Sequence, residues 1–442
     1  MSLVALAAAL PACNGKPSSS PANSSAPVGQ ESPAHAELEE LAAAFVPLTL
    51  EAGTHEAEYV DAYYGPADVK AKAEAKPRSP SDLETAAKAA VVRLDREVIL
   101  GLTAPDDLVR ARALRGFYQA AATRLAMIGG QRFSFDEEAQ GLFGVKPQFK
   151  PLSHYDAILA GLNDLIPGKS ALPARVDAFN ERYVIRKNRL QSVFDAAIAE
   201  CRKRTMKHFA LPKEESFKLE FVTGKPWSGY NYYKGSYHSL IQVNTDLPIR
   251  ISRAVDLGCH EGYPGHHVLN LMIESKLVRS KGWQEYEVNP LYSPQSLISE
   301  GSANFGIDLA FPGPERLAFE RDVLYPLAGL DPKTAETYWK VQQATEALTG
   351  ARLTIARMYL DGEIDRAKAV ELSQKYLLLS PQRAEQSVGF TDHYRSYVIN
   401  YGLGKDMVQA YVDAAGPDAA TRWKRMEHVL SDAVIPADLL KR

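Results

Sequence analysis

Residues 260–267 read His-Glu-Gly-Tyr-Pro-Gly-His-His, and the proline and glycine inside this run limit what backbone can pass through it. The segment before it, residues 250–262, has helical spacing, with Ile251, Ala254, Val255 and Gly258 on one inward face. In an ideal continuation Pro264 would stand one turn above His260. Proline has no N–H to bond the preceding turn and crowds the carbonyl four residues back. Gly265 tolerates backbone angles that other residues avoid. The helix must therefore bulge or break between His260 and His266.

That break bears on chemistry. Neutral imidazole is the commonest protein ligand for zinc, and His-Glu-x-x-His on a helix sets two imidazoles over one ion. In an unbroken helix His267 would rise roughly 10 Å above His260, too far to share an ion. A bulge absorbing two residues brings His266 to the place of the second histidine, and bulges of this kind favour functional sites. His260 and His266 are the expected ligands. His267 is the alternative ligand, or a support behind them. Glu261, beside the first histidine, is placed to take a proton from water as a general base.

A catalytic zinc usually has three protein ligands and one water. The third is expected at Glu300, in Ser299-Glu300-Gly301-Ser302-Ala303-Asn304, on a helix following Pro294. Leu297, Ile298, Phe305 and Leu309 make that helix apolar, and a carboxylate among them needs a partner. A first-turn acid favoured by the helix dipole is the simpler alternative. Glu274 and Glu285 read as solvated. Affinity order alone leaves other divalent ions open.

The chain has 442 residues, 45% hydrophobic and 24% charged, which is ordinary globular material. Its net charge is −3 and it has no long basic run, which argues against a nucleic-acid partner. The three cysteines, Cys13, Cys201 and Cys259, are too few and too odd for a disulfide framework, although a Cys201–Cys259 bridge stays open. Cys259 reads most simply as a small buried residue at the start of the motif. At the amino terminus an apolar run precedes Leu10-Pro11-Ala12-Cys13, which resembles the site where bacterial lipoproteins are acylated on cysteine. A tract rich in Ser, Pro, Ala and Asn follows, with the makeup of a flexible tether. Residues 1–33 are thus expected to be leader and tether, with Cys13 lipidated and the protein anchored to the bacterial cell envelope, facing the periplasm. Apart from that anchor, no apolar stretch is long enough to span a membrane.

Residues 34–442 read as one large, mainly α domain. Helical spacing is expected over 36–63, 83–102, 106–128, 155–165, 175–206, 294–310 and 391–401, among others. Alternation predicts strands only at 217–222 and 239–245, joined by a Gly- and Tyr-rich loop over 227–237. The second strand is expected to be an exposed edge beside the cleft, able to pair with an extended peptide, with Asn244 and Tyr233 contacting it and Tyr230 and Tyr232 nearby.

His260, Glu261, Pro264, Gly265, His266 and His267, with the later Glu300-Gly301-x-Ala303, resemble the bacterial family called domain of unknown function 885. Tyr401 and Gly404 match a later Tyr-x-x-Gly. The chain departs from the pattern at Ser302, Arg395 and Tyr397, changes that bear on substrate preference rather than on the metal. The resemblance covers residues 35–442. It implies a large helical fold similar to zincin metallopeptidases, a small sheet beside the active-site helix, a zinc ion, and hydrolysis of a peptide. Tyr401 is the first choice to stabilise the oxyanion, with His393 and Arg395 in reserve. A tyrosine-rich helix that merely packs on the core is the competing reading of this segment. A metal- or peptide-binding lipoprotein without catalysis is the competing reading of the whole, although such a protein has no use for a base at Glu261.

Overall fold

Among the described residues, four helices begin at a Ser-Pro pair, for one physical reason. In the computed structural model, which describes residues 32–95, 99, 101–225 and 227–441, Ser32, Ser79, Ser293 and Ser380 have extended backbone. Each serine oxygen accepts the N–H three residues on, at 3.1, 3.1, 3.3 and 3.5 Å respectively. The proline that follows needs no N–H partner in the first turn and has its φ preset for a helix. The helices Pro33–Ala52, Pro80–Arg93, Pro294–Ala310 and Pro381–Tyr394 start there. Cys13 and the expected leader lie outside the described residues.

The fold is mainly α with a small sheet beside the His260–His267 segment, as predicted. Among the described residues there are five strands: β1 (Val60–Tyr63), β2 (Ser216–Val222), β3 (Gly229–Gly235), β4 (His238–Asn244) and β5 (Val288–Pro290). β1 pairs antiparallel with β5. The other three form a sheet in the order β2-β4-β3, parallel between β2 and β4 and antiparallel between β3 and β4. One hydrophobic cluster runs from Ala34 to Leu439. Among the described residues no helix is long and apolar enough to cross a membrane.

Several expectations are corrected. The helix expected over 36–63 ends at Ala52, and Val60–Tyr63 is a strand because its backbone finds partners in β5. The helix expected over 175–206 breaks after Glu181. There Tyr183 and Ile185 exchange backbone hydrogen bonds with Ile251 and Ile249, at 2.9 and 2.8 Å. The loop expected over 227–237 contains β3. β4 is therefore central and paired on both sides, so it offers no free edge, and the edges of this sheet are β2 and β3. Glu274 and Glu285 are buried. Arg279 and Tyr233 hold the first, and Arg110 holds the second at 2.7 Å. Cys201 and Cys259 form a disulfide with their Cα atoms 5.5 Å apart, which joins the helix Leu190–Thr205 to the residue before His260.

A close contact between two helices positions Glu300. The helices Pro294–Ala310 and Ile399–Asp413 meet at Gly301 and Gly404. A Cβ on Gly301 would stand 2.4 Å from the Gly404 carbonyl, and one on Gly404 would stand 2.7 Å from the Leu297 oxygen. Neither obstacle is a side chain that could move aside. We expect Gly404→Ala to separate the helices and destabilise the fold by about 2 kcal/mol. Denaturant unfolding monitored by circular dichroism checks this, and an unchanged midpoint would refute the contact.

Candidate metal centre

The helix Ser252–Leu257 widens into a π turn over Gly258–Gly262. The Tyr263 N–H reaches the Gly258 carbonyl at 3.4 Å, and the Gly265 N–H reaches the Cys259 carbonyl at 3.0 Å. A new helix, His266–Ile273, starts immediately after. Gly265 makes this possible, because a Cβ there would lie 1.8 Å from the His260 oxygen. The Pro-Gly pair thus resets the helix within one turn.

The result brings three donors together. His260 Nε2 and His266 Nε2 lie 3.1 Å apart, with their rings perpendicular. Glu300 Oε2 lies 3.4 Å from the first and 3.9 Å from the second. Ligands around a tetrahedral zinc, with bonds near 2.0–2.1 Å, stand about 3.3 Å from one another. His260, His266 and Glu300 form a cluster that fits one divalent ion. Glu300 is only 8% exposed and its Oε2 has no hydrogen-bond partner, an orphaned anionic oxygen that a cation would satisfy.

The surroundings tune these groups. Burial and the neighbouring His260 push the His266 pKa down to about 4, so its ring is neutral and able to donate a lone pair at neutral pH. Its Nδ1 is fixed by Ser299 Oγ at 2.9 Å. Burial pushes the Glu300 carboxyl up, but His260, His266 and Tyr397 outweigh burial and hold it below its ordinary value. Glu261 is 4% exposed, and burial lifts its pKa to about 7. Its backbone oxygen accepts Asn231 Nδ2 at 2.7 Å, and a Cβ on Gly229 would stand 2.8 Å from its Oε1. β3 therefore runs directly against this residue. The Glu261 carboxylate makes no hydrogen bond to a described residue.

Two residues at the site escaped the sequence reading. Tyr397, taken as a departure that leaves the metal untouched, is buried and donates from its hydroxyl to Glu300 Oε1 at 3.0 Å. Asp61 on β1 accepts the Tyr230 hydroxyl. Burial, with Glu300, Glu261 and Glu58 nearby, lifts its pKa to about 7. Asp61 fell within the expected helix over 36–63, and its spacing gave no signal of this. For Tyr397 the signal was its spacing, one turn before Tyr401.

The remaining expected residues divide. Tyr401 packs against Tyr397, ring centroids 5.9 Å apart, and the charges of Glu300 and Glu261 reach it and add to the effect of burial in raising its pKa. His393 Nε2 lies 2.8 Å from Glu58 on the surface, and Arg395 Nε donates to the buried Glu138 at 2.7 Å. His267 is corrected as ligand or support. It is fully buried, and its ring faces Ser239 at 2.8 Å and Glu215 at 3.0 Å, so both nitrogens are occupied away from the cluster. Asn244 and Tyr233 are corrected as peptide contacts. Asn244 bonds the Lys225 carbonyl at 2.8 Å and the Asp246 N–H at 3.0 Å, while the buried Tyr233 hydroxyl donates to Glu274.

No family model matches this chain, and no curated protein matches it significantly. Among solved structures it is similar to a protein described as a candidate lipoprotein from Colwellia psychrerythraea, with TM-score 0.51 and 15% identity over 80% of this chain. The match covers 65% of that protein's length, so this chain spans slightly under two thirds of it. At that identity the likeness shows the fold alone. Weaker likenesses are to an M32 carboxypeptidase from Deinococcus radiodurans R1 (TM-score 0.48, 13% identity, 91% of this chain and 93% of that one). A candidate lipoprotein of unknown function from Shewanella oneidensis follows (TM-score 0.44, 11% identity, 82% of this chain and 75% of that one).

Metal analysis separates the roles. We expect His260→Ala and Glu300→Ala to lose stoichiometric metal. His267→Ala is expected to keep the metal and lose about 3 kcal/mol of stability, because Glu215 is left short of a buried partner. Tyr397→Phe is expected to weaken metal affinity roughly 10-fold, the usual cost of removing a group that orients a ligand. Equal metal content in wild type, His260→Ala and Glu300→Ala would sink the site.

Proposed function

We propose that this chain is a zinc-dependent peptide hydrolase of the bacterial cell envelope and a member of domain of unknown function 885. One observation carries the reading: His260, His266 and Glu300 converge within 4.8 Å of one another while Glu261 stands beside them with a free carboxylate. Two imidazoles and one carboxylate are a standard ligand set for catalytic zinc, which leaves a position for water. When bound, such an ion supplies Lewis acidity to a carbonyl and to water.

The chain's own residues supply the rest. Glu261 takes a proton from the attacking water and passes it to the leaving amine. Its burial and the close β3 backbone limit where it can reach. Tyr397 holds Glu300 in place through its hydroxyl. Tyr401, on the same helical face, donates a hydrogen bond to the developing oxyanion. His393 and Arg395 are engaged by Glu58 and Glu138, so neither competes for that role. The envelope location rests on Leu10-Pro11-Ala12-Cys13 and its tether, and the Cys201–Cys259 bridge suits an oxidising compartment.

Glu261→Gln is the decisive variant. It should bind zinc as wild type does, yet cleave a peptide library at least roughly a hundred-fold more slowly, the usual contribution of a general base. Equal turnover by both proteins would refute the mechanism. A zinc-loaded wild type that binds peptides and cleaves none would mark a binding lipoprotein instead.

A further inference from the structure

Arg395 holds a backbone that residues with side chains seldom adopt, with φ 53° and ψ −126°. It stands between the helix Pro381–Tyr394 and the short turn Arg395–Val398, which carries Tyr397. Such a conformation persists only where the surrounding contacts over-determine it. Here one residue supplies them. Glu138, fully buried on the helix Phe135–Phe143, accepts Arg395 Nε through Oε2 at 2.7 Å. Its Oε1 accepts the Ser396 N–H at 3.0 Å and the Ser396 hydroxyl at 2.7 Å. Among the described residues the Glu138 carboxylate makes no other hydrogen bond. A carboxylate cut off from water is thus satisfied by two consecutive residues, 257 and 258 positions along the chain.

Those two residues immediately precede Tyr397. The helix that carries Glu138 meets Tyr397 again through the ring of Phe143, edge-on with centroids 6.1 Å apart. The Tyr397 hydroxyl donates to Glu300 Oε1 at 3.0 Å. A chain of contacts therefore runs from Glu138 through Arg395-Ser396 and Tyr397 to Glu300, and every hydrogen bond in it is 3.0 Å or shorter. It ends on one carboxylate oxygen. The other, Oε2, has no hydrogen bond and faces His260 and His266 at 3.4 and 3.9 Å. With Oε1 engaged, Glu300 offers an ion one oxygen. A Glu300 released by Tyr397 can turn and offer both, which fills the position that a water needs at a four-coordinate ion.

We propose that Glu138 is a positioning residue for the metal centre. By holding the Arg395-Ser396 turn it keeps the Tyr397 hydroxyl on Glu300 Oε1, and so fixes Glu300 as a ligand through Oε2 alone. This rests on the metal centre of His260, His266 and Glu300 and deepens it. A buried ion pair that only steadies the fold is the competing account. It costs stability when broken and leaves the ion unaffected.

The test titrates cobalt(II) into the metal-free full chain and reads its visible absorption, which is stronger at four-coordinate than at five- or six-coordinate sites. Wild type is expected to bind one cobalt with strong absorption. In Glu138→Gln the affinity should fall roughly 10-fold, the cost of losing a group that orients a ligand, and absorption per bound cobalt should drop. Ser396→Ala removes one of the three bonds to Glu138 and should shift both readings the same way by less. Glu138→Gln with Tyr397→Phe should bind no more weakly than Tyr397→Phe alone, because both changes break one chain. Circular dichroism identifies the variants that are folded. If Glu138→Gln does not fold, Ser396→Ala, alone and with Tyr397→Phe, gives the same comparison. Wild-type affinity and absorption in the folded variant would overturn the role, as would losses that simply add in the double variant. Wild type that takes up no cobalt would remove the metal centre itself and this role with it, a failure visible before any variant is compared.

Discussion

The contact between Gly265 and the His260 carbonyl is the constraint on which the site depends. The two backbones approach so closely that no side chain fits between them. This approach lets the π turn close and a fresh helix begin at His266. It carries the second imidazole to within 3.1 Å of the first, where a regular helix would have placed a proline. A local backbone irregularity thus does what spacing does in the standard His-Glu-x-x-His helix. It also separates the two adjacent histidines, sending His266 to the cluster and His267 into the interior.

The interior side of that separation has its own logic. Glu215 is nearly inaccessible and is held by Tyr263, Arg202 and His267, at 2.5, 2.6 and 3.0 Å. These donors outweigh burial and keep the carboxyl below its ordinary pKa. A charge removed from water is tolerable only when its lone pairs are met. Glu300 presents the contrasting case. Tyr397 donates to one oxygen, while the other has only the His260 and His266 rings, 3.4 and 3.9 Å away, and no hydrogen bond. Two buried carboxylates on the two sides of one turn therefore carry different messages, one completed by protein and one left for an ion. Gly301 and Gly404 make the second possible by letting the Glu300 helix and the Tyr397–Tyr401 segment lie almost backbone to backbone.

Much of this was legible in the residues, because it rests on local rules. The conflict between Pro264 and a regular helix, the reset to His266 and the apolar setting of Glu300 all follow from spacing and side-chain chemistry. So does the helix Pro294–Ala310, whose serine cap and proline mark its start. What escaped depends on pairing between distant segments. β1 exists because β5 lies beside it, 225 residues on at the Tyr63–Val288 pair. β3 is built of glycine and tyrosine without clear alternation, and only β4 makes it a strand. With β3 unread, β4 looked like an edge, and Asn244 and Tyr233 looked available. Asp61 was lost with β1. Tyr397 was visible but was treated as a departure from a pattern, when its spacing to Tyr401 already set it on the same face.

The bridge between Cys201 and Cys259 has a topological consequence. The bond closes a ring with a sequence separation of 58, and β2, β3 and β4 all lie inside it. In the chain-entropy account a ring of that size removes enough unfolded freedom to stabilise the native state by about 4 kcal/mol. Its placement matters more than its size. Strand β3 and the residue preceding His260 belong to one covalent ring with the helix Leu190–Thr205, so fewer unfolded arrangements separate them than in an open chain. Local breathing elsewhere would leave the strand, the base and the first imidazole as a tethered unit. The neighbourhood of Glu261 then recovers its arrangement by a short search rather than by refolding of the whole chain.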